Sequence, residues 1–143
     1  MRKDNKDKAT GAASSRCGLW GMVVAGMLLL ACSHQDTAKV AGQVARQYYE
    51  QLLKGDYESF VDGCYQPDAI PESYREQLVD NAKMFVGRQQ TEHRGIKEVR
   101  LANAEADTVD NRVNAFLVFC YGDSTSEQVL VPMIEQGGTW YMR

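Results

Sequence analysis

The chain has 143 residues, enough for one domain and too few for two separate cores. Its net charge is -3, but the first 31 residues hold five of the sixteen basic side chains and two of the nineteen acidic ones, leaving eleven basic against seventeen acidic in the remainder. That balance, without a basic stripe or interleaved aromatics, argues against a nucleic-acid partner, whose phosphate backbone is bound by clustered Lys and Arg that release counterions.

At the amino terminus Arg2, Lys3, Lys6, Lys8 and Arg16 outweigh Asp4 and Asp7, and Leu19 to Ala31 then runs thirteen residues without a charge. A basic segment followed by a short apolar one is the pattern of an export signal. It falls short of the roughly 20 residues that a membrane-spanning helix needs. The run closes on Leu29, Leu30, Ala31 and Cys32, which resembles the lipobox of bacterial lipoproteins. A small Ala31 gives a protease access to the bond, and Cys32 supplies the thiolate for lipid attachment. Leu30 is bulkier than the commonest residue at its place. The resemblance implies that residues 1–31 are a signal peptide that is removed, and that Cys32 is held in a bilayer by acyl chains, each buried methylene adding about 0.8 kcal/mol. Ser33 after the cysteine points to the outer rather than the inner membrane of a bacterial cell envelope. Residues 32–36 would be a lipidated tether, and 37–143 the folded domain.

Val40, Ala41, Val44, Ala45, Tyr48, Tyr49, Leu52 and Leu53 recur at helical spacing, with Asp36 or Thr37 as the cap and Gly55 as the stop. Asp56 can cap a second helix carrying Tyr57, Phe60, Val61 and Cys64 on one face, ended by Pro67. Pro71 suits the first turn of a third helix, with Tyr74, Leu78, Ala82 and Phe85 as its buried face and Gly87 or the polar residues after it as the end. From Ile96 the period becomes two: strands are predicted over 96–106, 112–122, 127–136 and 139–142, separated by turn-forming DTVDN, GDSTS and GG. Helices followed by an antiparallel meander make an α+β fold.

The stretch LLKGDYESF (52–60), the helices-then-sheet order and the closing GGTWYMR (137–143) together resemble the nuclear-transport-factor-2-like (NTF2-like) superfamily, and within it a family of bacterial lipoproteins. The likeness covers residues 37–143. It implies three helices packed on a curved four-stranded antiparallel sheet, cone-shaped and cystatin-like, with a cavity at the open end. Candidate lining residues are Tyr48, Phe60, Phe85, Phe116, Phe119 and Trp140, because a pocket wants apolar walls with a few placed polar groups.

The strand VNAFLVFCY is apolar on both faces: Val113, Ala115, Leu117, Phe119 and Tyr121 on one, Phe116, Val118 and Cys120 on the other. In VLVPMI, Val129, Val131 and Met133 oppose Leu130 and Ile134, and Pro132 requires an edge or a bulge. The second face is therefore expected to meet another copy of the chain or an envelope protein; the alternative is that the sheet curls enough to cover itself.

No nucleophile elbow, phosphate loop or metal-ligand spacing is present, so no catalytic residue, metal or cofactor is assigned. His34 lies in the tether, and His93, in the TEHRG turn between Glu92 and Arg94, is expected to face solvent. Of the four cysteines, Cys17 leaves with the signal and Cys32 takes lipid, which leaves Cys64 and Cys120 either as a disulfide, permitted after export, or as buried thiols. The expected function is a non-enzymatic envelope lipoprotein whose cone binds a small apolar or amphipathic ligand or a protein partner. The rivals are an isomerase- or hydrolase-like enzyme, which needs a buried carboxylate or His93 aimed into a closed cavity, and an assembly role with a filled cone.

Overall fold

The structure, a computed structural model, describes residues 18–108 and 111–143, with side chains from residue 35 onward. The basic residues up to Arg16, Cys17 and the side chains of Cys32 and His34 lie outside the described residues. Helix α1 spans Gly18–Leu53, so Asp36 and Thr37 sit within its backbone rather than at its start. Among the described residues no helix is long and apolar enough to cross a membrane.

Within the body formed by residues 32–143, α1 presents Ala38, Ala41, Ala45 and Leu52 to the core, all at most 2% exposed. Small side chains at helical spacing let it approach the sheet closely. Gly55, at φ 85°, closes it as expected, because a left-handed residue after the last turn lets the chain reverse without a Cβ clash. Asp56 then caps α2 (Tyr57–Asp62), its carboxylate accepting from the Ser59 amide at 3.2 Å. This helix stops at Asp62, before the predicted Pro67. Cys64 lies beyond it, in an isolated bridge with Met142 at the far end of the chain.

Helix α3 runs Glu72–His93, with Pro71 just outside it as the N-cap. Gly87 does not end it. The chain leaves the helix at Arg94, which is left-handed (φ 60°), followed by Gly95, whose amide donates to the Gln89 carbonyl at 2.9 Å. Of the face expected to be buried, Ala82 is buried and Leu78 and Phe85 are half-buried, but Tyr74 is 46% exposed; Val79 takes its place inside.

Strands β1 (Ile96–Ala106), β2 (Arg112–Tyr121), β3 (Ser126–Gln136) and β4 (Thr139–Met142) form one antiparallel sheet in chain order. The β2–β3 register has no shift, whereas β1 carries irregularities at Ile96/Glu98 and Leu101/Asn103. Each inserts a residue and re-phases the strand, so the inward positions fall at 96, 99, 101 and 104 instead of every second residue. Pro132 sits in β3 next to the Met133–Met142 pair: its carbonyl accepts from the Arg143 amide at 2.9 Å, and its own nitrogen, which carries no hydrogen, points the same way.

The core lies between α1 and the inner face of the sheet, where Val113, Ala115, Leu117, Phe119, Val131, Met133, Trp140 and Met142 meet the alanine face of α1. No polar or charged residue is buried among the described residues. The opposite face is less covered: among the described residues Phe116, Val118 and Cys120 are half-buried and Leu130 is 52% exposed.

Candidate functional site

An apolar cleft of about 290 Å³ opens between the helices, walled by Tyr49 from α1, Phe60 and Val61 from α2, Cys64 after it, and Leu78, Ala82 and Phe85 from α3. Each wall follows from local sequence. The three-and-four spacing places Leu78, Ala82 and Phe85 along one side of α3, and the tight Gly55–Asp56 connection folds α2 back so that Phe60 meets Tyr49 edge to face, with ring centroids 5.3 Å apart. Tyr49 in turn lies against Phe119 of the sheet at 5.0 Å, which fixes the cleft's inner wall. Gln66 and Asn81 stand at its rim, and no charged side chain lines it.

The ionisable groups of the cleft are held neutral. Burial pushes the Cys64 thiol up, and burial together with the neighbouring Cys64 pushes the Tyr49 phenol up. The Cys64 sulfur is 3.7 Å from the Phe60 carbonyl. A site with no charge and its thiol protonated suits the burial of an apolar group rather than proton transfer. Its volume is near the lower end of the roughly 300–1,000 Å³ typical of ligand pockets, which fits a short chain or a single ring.

Of the six residues predicted to line a pocket, Phe60 and Phe85 do so. Phe119 and Trp140 are core residues, 3% and 8% exposed. The Tyr48 ring packs over Gly63, where a Cβ would come within 2.5 Å of it, and its hydroxyl donates to the Trp140 carbonyl at 3.0 Å. Phe116 is on the other face of the sheet; residues 116 and 119 differ by an odd number in one strand and cannot share a face. Tyr49, Val61, Cys64, Gln66, Leu78, Asn81 and Ala82 were missed as lining residues, although all but Gln66 and Asn81 were legible as members of apolar helical faces.

Cys64 and Cys120 are both free. Cys64 packs against the inner core, whereas Cys120 is on the outer face with the Arg100 guanidinium 3.1 Å from its sulfur. The sheet stands between them, so the disulfide alternative is not realised.

His93 is less free than a turn residue was expected to be. Its Nδ1 is 3.0 Å from Asp123 Oδ2, and its ring stacks on Tyr121 with centroids 4.4 Å apart, leaving the side chain 37% exposed. Hydrogen bonds from the Thr125 hydroxyl (2.6 Å) and amide (2.9 Å), and then the contact with His93, hold the Asp123 carboxyl at about 2. Tyr121 is pushed up to about 12, chiefly by burial and then by the hydrogen bond that its hydroxyl donates to Glu127 at 2.9 Å. The Gly122 and Asp123 amides donate to the carbonyls of Gly95 and His93 at 2.9 and 3.0 Å, so the cluster pins the β2–β3 hairpin to the end of α3. His93 is not among the residues that line the cleft. Among the described residues no group of His, Cys, Asp and Glu could hold a metal ion.

No protein-family model matches the chain, and no curated protein matches its sequence. In three dimensions it is similar to a crystal structure at 2.00 Å of a protein from Campylobacter jejuni named an NTF2-like transpeptidase, with a TM-score of 0.56 over 70% of this chain and 94% of that one. The two sequences are 10% identical, so the likeness speaks to fold alone: helices with a four-stranded antiparallel sheet, of the NTF2-like kind.

Proposed function

We propose that the chain is a lipid-anchored bacterial envelope lipoprotein whose NTF2-like body binds a small apolar or amphipathic ligand in the cleft between its helices. The observation that carries the binding reading is the cleft itself, seven apolar or neutralised side chains around about 290 Å³ without a charge among them. The anchoring reading rests on the Leu29–Leu30–Ala31–Cys32 pattern after a basic, then apolar, segment. The two parts fit each other, because a bilayer-tethered domain has ready access to apolar molecules. Binding without catalysis is favoured over the enzymatic rival because the cleft holds neither a carboxylate nor His93.

Native mass spectrometry of the chain purified from its own host tests the binding part. A retained small molecule is expected, and it should be lost from Asn81→Arg, which places a long cation across the mouth from an exposed position. An empty wild type, or equal retention by the variant, refutes it. Labelled palmitate tests the anchor: it should mark the wild type and not Cys32→Ser, and the variant should leave the membrane fraction.

A second reading, that an envelope protein or a second copy covers the outer sheet face, is favoured by the exposure of Leu130 beside Phe116, with which it is in register. A dimer in sedimentation that Leu130→Asp dissociates supports it. A wild type that sediments as a monomer at every concentration removes the second-copy form of this reading.

A further inference from the structure

A second concavity of about 460 Å³ adjoins the cleft, and the two share Val61, Cys64 and Gln66 as a common wall. Its chemistry differs. The segment after α2 is stitched to β4: Tyr65 N–H donates to the Met142 carbonyl at 2.6 Å, and Met142 N–H donates to the Gly63 carbonyl at 2.8 Å. This backbone pairing brings the Tyr65 ring to 6.5 Å from that of Tyr141, tilted by 58°. Around the two rings stand the side chains of Gln66, Asp68 and Gln136, all exposed. Among the described residues, none of these three side chains has a hydrogen-bond partner in the chain. Arg75 completes the wall, its guanidinium held by Asp62 through three hydrogen bonds of 2.9 to 3.0 Å and flanked by Glu72 at 3.8 Å.

The donor and acceptor inventory discriminates between head groups. An anion finds the guanidinium already engaged by carboxylates and meets the negative Asp68. A cation could use Asp68 and the aromatic faces, but a quaternary one offers no acceptor to the amide N–H groups of Gln66 and Gln136 or to the phenol hydroxyls. A neutral polyol can use every group present: hydroxyls that both donate and accept match amide, carboxylate and phenol, and the C–H face of a pyranose lies on a tyrosine ring.

We propose that this pocket takes a sugar ring and that the ligand of the chain is a glycosylated amphiphile, with its apolar tail between Phe60 and Phe85 and its sugar against Tyr65 and Tyr141. The inference rests on the cleft being a binding site and adds the class of head group. The fixed backbone beneath the tyrosines means that little ordering entropy is lost when the sugar docks.

The test compares four probes with one tail: hexyl β-D-glucoside, hexyl β-D-galactoside, hexanoate and hexyltrimethylammonium. Each is titrated calorimetrically into the full-length chain in nanodiscs, with empty nanodiscs as the reference. One of the glycosides should bind about tenfold more tightly than either charged probe, the effect of one or two net hydrogen bonds. Gln136→Ala and Asp68→Ala, at exposed positions that do not threaten the fold, should both bring that ratio close to one: Gln136→Ala by weakening the glycoside, Asp68→Ala by weakening the glycoside and also strengthening hexanoate, whose carboxylate no longer meets a like charge. Asn81→Arg should weaken all four. Equal binding of the four probes, or preference for a charged one, overturns the sugar assignment and leaves the cleft standing. Binding by none of them overturns both.

Discussion

On β2 the inward residues Val113, Ala115, Leu117 and Phe119 are at most 3% exposed, whereas Phe116, Val118 and Cys120, interleaved with them, are only half-buried. The two faces carry side chains of similar apolarity, so composition does not separate them. What separates them is the partner each finds: α1 offers a stripe of alanines that lets the inner face approach to contact, and the outer face has no such layer among the described residues of the body. Apolar character alone therefore reads as a demand for burial, and only topology says which demand is met inside one molecule.

Substitutions on the two faces sharpen this contrast. Leu117→Ala, at a site with no exposure, should cost about 3 kcal/mol in urea unfolding, through lost transfer energy and the cavity left behind. Tyr48→Phe, which removes the hydroxyl's bond to the Trp140 carbonyl on the inner side, should cost about 1 kcal/mol. Where the hairpin joins α3, the effect is a pH slope. Asp123 titrates at about 2 in the fold against its ordinary 3.8, so its contribution is present above about pH 4 and is lost as the pH falls towards 2. Asp123→Asn should flatten the acid limb of stability over that window. Tyr121, raised to about 12, works in the other direction: its contribution is present below about pH 10 and is lost as the pH climbs to 12, and Tyr121→Phe should flatten that limb. The smallest change is expected on the outer face, where Leu130→Ser in the dilute chain should stay within about 0.5 kcal/mol. A cost as large as that of Leu117→Ala would erase the distinction between the faces.

The strands were legible almost to the residue, because alternation has a period of two and the turns between them are rich in Gly, Asp and Ser. Helix α3 was harder. Gly87 reads as a stop, yet an interior glycine costs only about 1 kcal/mol, and the actual end, at left-handed Arg94 with the Gly95 amide turned back to the Gln89 carbonyl, is reinforced by amides of Gly122 and Asp123 that arrive from a hairpin far along the chain. His93 was misplaced for the same reason, since its partners Asp123 and Tyr121 are neighbours only in space. The cleft was half visible. Phe60 and Phe85 announce themselves, but Tyr48 and Tyr49 are adjacent on one helix, and periodicity cannot say which of them faces the cleft and which bonds to Trp140. The polar pocket beside it depends on the Cys64–Met142 bridge, which carries no sequence signature.

The position of Pro132 bears on how these molecules behave when concentrated. Among the described residues, 126–131 of β3 pair with β2 and with no strand on their other side, an open edge of the kind on which a foreign strand can add and seed aggregates. A residue with no amide hydrogen at the inner end of that edge, and the negative charge of Glu127 near its outer end, make such addition unfavourable. Replacing Pro132 with a residue that donates removes that interruption, and light scattering of the concentrated protein should then show faster aggregation than in the wild type.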